Sequence, residues 1–159
     1  MRFYGFGNYY LSSLQQGLQS AHVVADLAVA SITGGKVNTK GKIFFDWAEN
    51  HKTMVLLNGG NSAMLEALFQ KFSVFEKNGM HLPFAKFHED EQSLGGALTY
   101  VGIVVEEKYY VAAAELRSTS DQLEYVNNKI DNEGWKQWEI ELINELNKGK
   151  LANWEVLVY

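Results

Sequence analysis

Apolar positions along the chain repeat at strand spacing in some segments and at helix spacing in others. Phe3-Tyr4-Gly5-Phe6-Gly7 is an aromatic run punctuated by glycine, and it predicts a first strand ending near Asn8. Ser12-Ser13-Leu14-Gln15-Gln16 then resembles a capping box, with Ser13 accepting from the first turn and Gln16 reaching back. Leu14, Leu18, Ala21, Ala25 and Ala28 share one face at helical spacing, predicting a helix packed by that face and running to about Ile32, where Thr33-Gly34-Gly35 stops it. Gln15, Gln19, His22 and Asp26 share a separate, polar face.

Ile43, Phe44, Trp47 and Ala48 predict a second, shorter helix ending near Asn50. The continuous apolar run at 53–57, closed by Asn58-Gly59-Gly60, fits a strand buried on both faces. Asn61-Ser62 can cap a helix whose stripe is Leu65, Leu68, Phe69 and Phe72 and which Asn78-Gly79 ends. Pro83 introduces an edge strand, Phe84-Ala85-Lys86-Phe87, and residues 97–105 read as another buried strand. Trp135, Trp138, Leu142, Ile143 and Leu146 form a helical stripe that packs on the body of the domain or on a second subunit, as in a homodimer. Residues 154–159 alternate and predict a terminal strand. No repeat or Pro-rich linker divides the chain, so the expectation is one α/β domain with a core at 1–105 and a carboxy-terminal helical extension at 106–159.

Composition narrows the chemistry. The 159 residues include no cysteine, which excludes a disulfide scaffold, an iron-sulfur centre and a thiol nucleophile. The formal charge of -5 argues against wholesale phosphate-backbone binding, but it is uneven: +2 over residues 1–60, -3 over 61–120 and -4 over 121–159. The amino terminus lacks a secretory signal and no window approaches the roughly 18 apolar residues of a membrane span, so a cytoplasmic protein without membrane partners is expected.

Single motifs carry little. His51-Lys52-Thr53 matches the His-x-Thr of two-histidine phosphoesterases, but none of the other histidines is followed at +2 by Ser or Thr, and His51 reads as a helix-end residue. Gly34-Gly35-Lys36 lacks the spacing of a phosphate loop and reads as a turn. His88-Glu89-Asp90-Glu91 concentrates hard ligands, but four consecutive residues point in different directions, so a solvated acidic loop is the simpler reading and no metal or cofactor is called for. Gly95-Gly96 just after it would let a ligand come close. The Gln15, Gln19, His22 and Asp26 face reads first as the wet side of a helix, yet amides and imidazole also suit hydrogen bonding to a base, a ribose or an ester in a cleft.

Across residues 1–105 the order of elements resembles the type 2 peptidyl-tRNA hydrolases, in a divergent form of the kind seen in bacteriophage genomes. Gln19-Ser20-Ala21-His22 is similar to that family's first-helix Gln-x-x-His, Glu89-Asp90-Glu91-Gln92-Ser93 stands where the family has Asp-x-Gly-x-Thr, and Thr99-Tyr100-Val101-Gly102-Ile103 resembles its last strand. The resemblance implies a mixed four-stranded sheet with helices on both faces, and hydrolysis of the ester joining a peptide to the tRNA 3' terminal ribose. Gln15 occupies the position of the family's lysine, which removes a cationic group worth several kcal/mol of transition-state stabilisation on the usual scale. The leading expectation is therefore a binding or sequestering module for a small nucleotide or ribosyl ligand, with a place in phage-host conflict and a cleft of Asn8, Gln15, Gln19, His22, Gly95, Gly96 and the 89–93 loop. The alternatives are an ester hydrolase acting at the tRNA 3' end through His22, Glu89 or Asp90, and Ser93, and a protein-binding adaptor using the Trp135, Trp138, Leu142 helix.

Overall fold

The aromatic run at the start of the chain forms β1 (Arg2–Asn8), the centre of a mixed sheet in the computed structural model, which describes residues 1–148 and 157–158, apart from the side chains of Ser93, Leu94, Leu157 and Val158. β4 (Met54–Gly60) lies parallel to β1 on one side, and β6 (Leu98–Val105) lies antiparallel on the other, followed by β5 (Phe84–His88) at the edge. The two-residue β7 (Leu157–Val158) pairs with Val55 and Leu56 on the outer side of β4. Trp154, Glu155, Val156 and Tyr159, the rest of the terminal strand expected from alternation, lie outside the described residues.

Helices cover both faces, as the resemblance implies. On one face α1 (Ser13–Ala30) and α2 (Thr39–Asp46) enclose Phe3, Leu56, Tyr100 and Val104 with Val23, Leu27, Phe44 and Trp47. On the other, α3 (Ser62–Lys77), α5 (Glu107–Ser118) and α7 (Gln137–Lys148) enclose Tyr4, Phe6, Val101 and Ile103. Trp138, Leu142 and Ile143 of α7 are buried in that second core, so the surface expected of an adaptor helix is interior. The helical extension is continuous with the core, while α6 (Gln122–Asp131) has no fully buried residue and packs on it through the partly buried Tyr125 and Val126.

Two local expectations shift. The cap of α1 falls one residue earlier, since Ser12 Oγ accepts from the Gln15 amide at 3.2 Å and Gln15 Oε1 accepts from the Ser12 amide at 2.9 Å. The helix also stops at Ala30, before Ile32. There β2 (Ile32–Thr33) and β3 (Lys36–Val37) form a hairpin whose turn, Gly34-Gly35, has φ of 58° and 74°, the left-handed pair that a two-residue hairpin needs.

The larger correction concerns the face by which α1 packs. Leu14 and Leu18 are 74% and 54% exposed, and Ala21 and Ala25 are exposed too, while Gln16, Gln19, Ser20, Val23 and Leu27 face the sheet. The cause is glycine in the strands beneath. A Cβ on Gly7 would lie 1.8 Å from Gln16 Oε1, and one on Gly102 would meet the Phe3 ring at 2.5 Å and Val23 Cγ1 at 2.7 Å. With Gly7 and Gly102 bare and Ala85 beyond Gly102 in the ladder, the strands offer a shallow trough in which the polar and β-branched side of α1 lies close to the backbone, while the Tyr100 ring takes the space over Gly5.

Among the described residues no helix is long and apolar enough to cross a membrane. Gly102→Ala should lower stability by about 1–3 kcal/mol, the usual cost of overpacking. Gly17→Ala, whose Cβ meets nothing within 4 Å, should raise it by up to about 1 kcal/mol through helix propensity. Urea unfolding of the two variants checks both signs.

Candidate functional site

β1 and β4 run in parallel, and the chain leaves them toward opposite faces of the sheet, by α1 from β1 and by α3 from β4. Their carboxyl ends therefore part at a topological switch point, the crevice where open α/β sheets bind ligands. Both register faults of the sheet lie at this end. The β1/β4 ladder jumps from Gly7 opposite Asn58 to Asn8 opposite Gly60, and the β5/β6 ladder jumps from Phe87 opposite Tyr100 to His88 opposite Leu98. The second fault leaves Thr99 as the extra residue of a bulge, which re-aims its hydroxyl toward α1.

There Thr99 meets Gln19. The Thr99 hydroxyl lies 3.3 Å from Gln19 Oε1 and 3.4 Å from the Phe87 carbonyl, and Gln19 Nε2 donates to Glu89 Oε1. The Gln19 amide is thus fixed in orientation, with its oxygen facing a hydroxyl donor and its nitrogen facing a carboxylate. Glu89 is half-buried and keeps acceptor capacity beyond this bond. One turn along α1, the exposed His22 ring stacks on Phe87 with centroids 4.3 Å apart and planes 5° from parallel.

Asn8 closes the floor. It is fully buried, and its Nδ2 donates to Ser62 Oγ at 3.0 Å and to the Leu98 carbonyl at 3.2 Å, tying the end of β1 to the start of α3 and of β6. Gln16 Nε2 donates to the Asn8 carbonyl at 3.2 Å. Asn8 Oδ1 and Gln16 Oε1 are buried acceptors with no donor among the described residues. Past Asn8 come Tyr9 and Tyr10, 59% and 45% exposed and packed edge to face at 5.9 Å. Burial raises the Tyr10 phenol pKa and the Glu89 carboxylate beside it adds to the rise, which places Tyr10 on the rim of the same site.

Gln19, His22, Glu89 and Asn8 thus gather at one end of the sheet. Gln15 differs, because its exposed side chain is engaged in the cap of α1. Asp90 lies in the turn before α4 (Glu91–Leu94), exposed, with its carbonyl accepting from the Gly96 amide. Ser93 belongs to α4, and its side chain lies outside the described residues. Gly95 and Gly96, at φ of 63° and 72°, shape this loop, whose ends are joined by the Glu89 amide donating to the Ala97 carbonyl and by His88 Nδ1 at 3.0 Å from the Gly96 carbonyl. Among the described residues no group of three or more His, Cys, Asp or Glu side chains is placed to hold a metal. Pattern reading missed Thr99, Phe87 and the tyrosine pair as site residues. Thr99 carries no signal of its own, since a bulge is invisible in sequence.

Replacing Glu89 by Gln should lower the Tyr10 pKa toward the ordinary value of about 10. NMR titration of tyrosine labelled at Cζ reads that shift, and an unchanged Tyr10 would remove Glu89 from its side. The chain matches no protein-family model, and none of the curated proteins matches it.

Proposed function

We propose that this chain binds a nucleoside-type group, base and ribose, at the carboxyl end of β1 and holds it without efficient hydrolysis. The observation that carries the reading is the Gln19 amide, set between Thr99 and Glu89 and adjoining the His22–Phe87 stack. Exposed aromatic planes suit a base, at roughly 1–3 kcal/mol per stacked base. The Glu89 carboxylate suits ribose hydroxyls or an exocyclic amine, because charge-assisted bonds to such donors exceed neutral ones. The resemblance to peptidyl-tRNA hydrolases supports the same choice, since the tRNA 3' terminus presents a ribose and base.

Charge refines the ligand. Glu89, Asp90 and Glu91 make this end acidic, and no Lys or Arg stands among the site residues. A phosphate gains nothing there, so a bare nucleoside should bind at least as well as its monophosphate. The arrangement is also poor for ester hydrolysis. The Glu89 carboxylate is held by the Gln19 amide rather than by the His22 imidazole. Gln15 stands in the place of the lysine of the resembled family, so that position brings no cation to a developing oxyanion, which forgoes several kcal/mol.

Calorimetry with adenosine, adenosine monophosphate and ADP-ribose tests the proposal. Adenosine should bind in the micromolar range, and Glu89→Gln or Gln19→Leu should weaken it about tenfold or more, as expected for loss of a charge-assisted bond. Absence of binding by all three at high micromolar concentration would overturn it. Labelled peptidyl-tRNA should be released only at the background rate, and turnover abolished by His22→Ala would establish the hydrolase instead.

A further inference from the structure

The outward face of α1 is apolar along its whole length. Leu14, Leu18 and Val29 are 74%, 54% and 78% exposed, with exposed Ala21 and Ala25 between them. More than half of the large exposed hydrophobic side chains among the described residues fall within 9–37, since Tyr9 and Tyr10 precede the helix and Ile32 and Val37 of the hairpin follow it. The helix carries a single charged residue, Asp26, with no acid in its first turn and no base in its last. A solvated helix face normally carries charge, and an apolar strip of this extent marks an interaction surface.

We infer that a second copy of this chain covers the strip, with the two α1 helices antiparallel about a two-fold axis near Ala21. The sequence of the strip is complementary to itself in that orientation. Leu18 of one copy lies over Ala25 of the other, so a bulky side chain enters the gap left by a small one, and Leu14 meets Val29 as an apolar pair at each end. At each end the tyrosine pair of one copy meets the hairpin of the other. α1 alone, about 27 Å long, is too small for the roughly 800 Å² per partner of a stable interface, and the tyrosines and hairpin extend it toward that size.

Charge favours the same occupant. Residues 1–60 carry +2, whereas residues 61–120 and 121–159 carry -3 and -4, so joining two copies through α1 brings together their least acidic parts. Nothing described from the same chain can take the place, because α5 and α7 cover the opposite face of the sheet and β7 sits at the edge farthest from β5, next to which α1 packs. Gln15, His22 and Asp26 lie on a flank of α1 about a quarter turn from the strip, so the two-fold contact falls beside the proposed nucleoside site and shares with it the rim tyrosines, Tyr9 and Tyr10.

Sedimentation equilibrium of the full chain across the micromolar range should give twice the chain mass of 18.0 kDa, and Leu18→Glu should return it to 18.0 kDa with an unchanged circular-dichroism spectrum. Val111→Glu, which charges an exposed apolar position on α5, should leave the dimer intact. The chain has no cysteine, so Ala21→Cys supplies a unique thiol at the axis and should form a disulfide-linked dimer under mild oxidation, whereas Val111→Cys should not. A wild-type monomer overturns the proposal, including one that sediments with lipid vesicles or another protein. So does a dimer that survives Leu18→Glu, or an Ala21→Cys variant that fails to cross-link.

Discussion

α1 can lie as close to the sheet as it does because β1 and β6 present no side chain at Gly7 and Gly102. Filling Gly7 would drive a methyl group into Gln16, and filling Gly102 would drive one into Val23 and Phe3. Three consequences follow from this one approach. The side of the helix that bears Gln16, Gln19 and Val23 becomes interior. Gln19 is carried to the bulged end of β6, where Thr99 and Glu89 take up its amide. The leucines and alanines, half a turn away, are left facing outward.

The same constraint explains what could and could not be read from the sequence. Strands β1, β4, β5 and β6 and helices α1 and α3 announce themselves through aromatic runs, apolar runs closed by glycine, and Asn61 at a helix start. Periodicity groups the apolar residues of α1 correctly but assigns their side to the core, and the side that packs, Gln16, Gln19, Ser20, Val23 and Leu27, is neither of the two faces it draws. Hydrophobicity ranks Leu14 and Leu18 above Gln16 and Gln19, whereas packing over glycine selects by shape and by the polar partners at the strand ends. The cap of α1 was misplaced by one residue for a related reason, since Ser12 and Ser13 are both followed at the third position by glutamine. The pairing of Gln19 with Glu89 spans 70 positions of sequence, and no local pattern could report it.

The candidate site lies where the regular ladders fail. The bulges at Thr99 and at Gly59 lie at the carboxyl ends of the parallel pair, and Asn8 ties those ends together through Ser62 and the Leu98 carbonyl. A rigid floor, an oriented amide and exposed rings supply directional bonding and stacking but no concentrated positive charge. A concavity of about 460 Å³ opens on the other face, lined by Phe6, Asn58, Gly60, Met64, Leu68 and Lys71, where Glu145 holds both Lys71 and Lys148 in ion pairs. Glu145 offsets one of its two lysine charges, and the one ring on its wall, Phe6, is buried, so it offers a base no exposed stacking plane.

The central claim is that a nucleoside sits against Gln19 and its partners. Its most direct measurement is an NMR titration with adenosine that follows the side-chain amide of Gln19 and the backbone amides of the assigned protein. The account predicts that the Gln19 side chain, the Thr99 amide and the residues around His22 and Phe87 shift together and saturate, while signals around Lys71 and Glu145 stay in place. Shifts confined to the Lys71 and Glu145 cleft, or no saturable shift at Gln19, would contradict it.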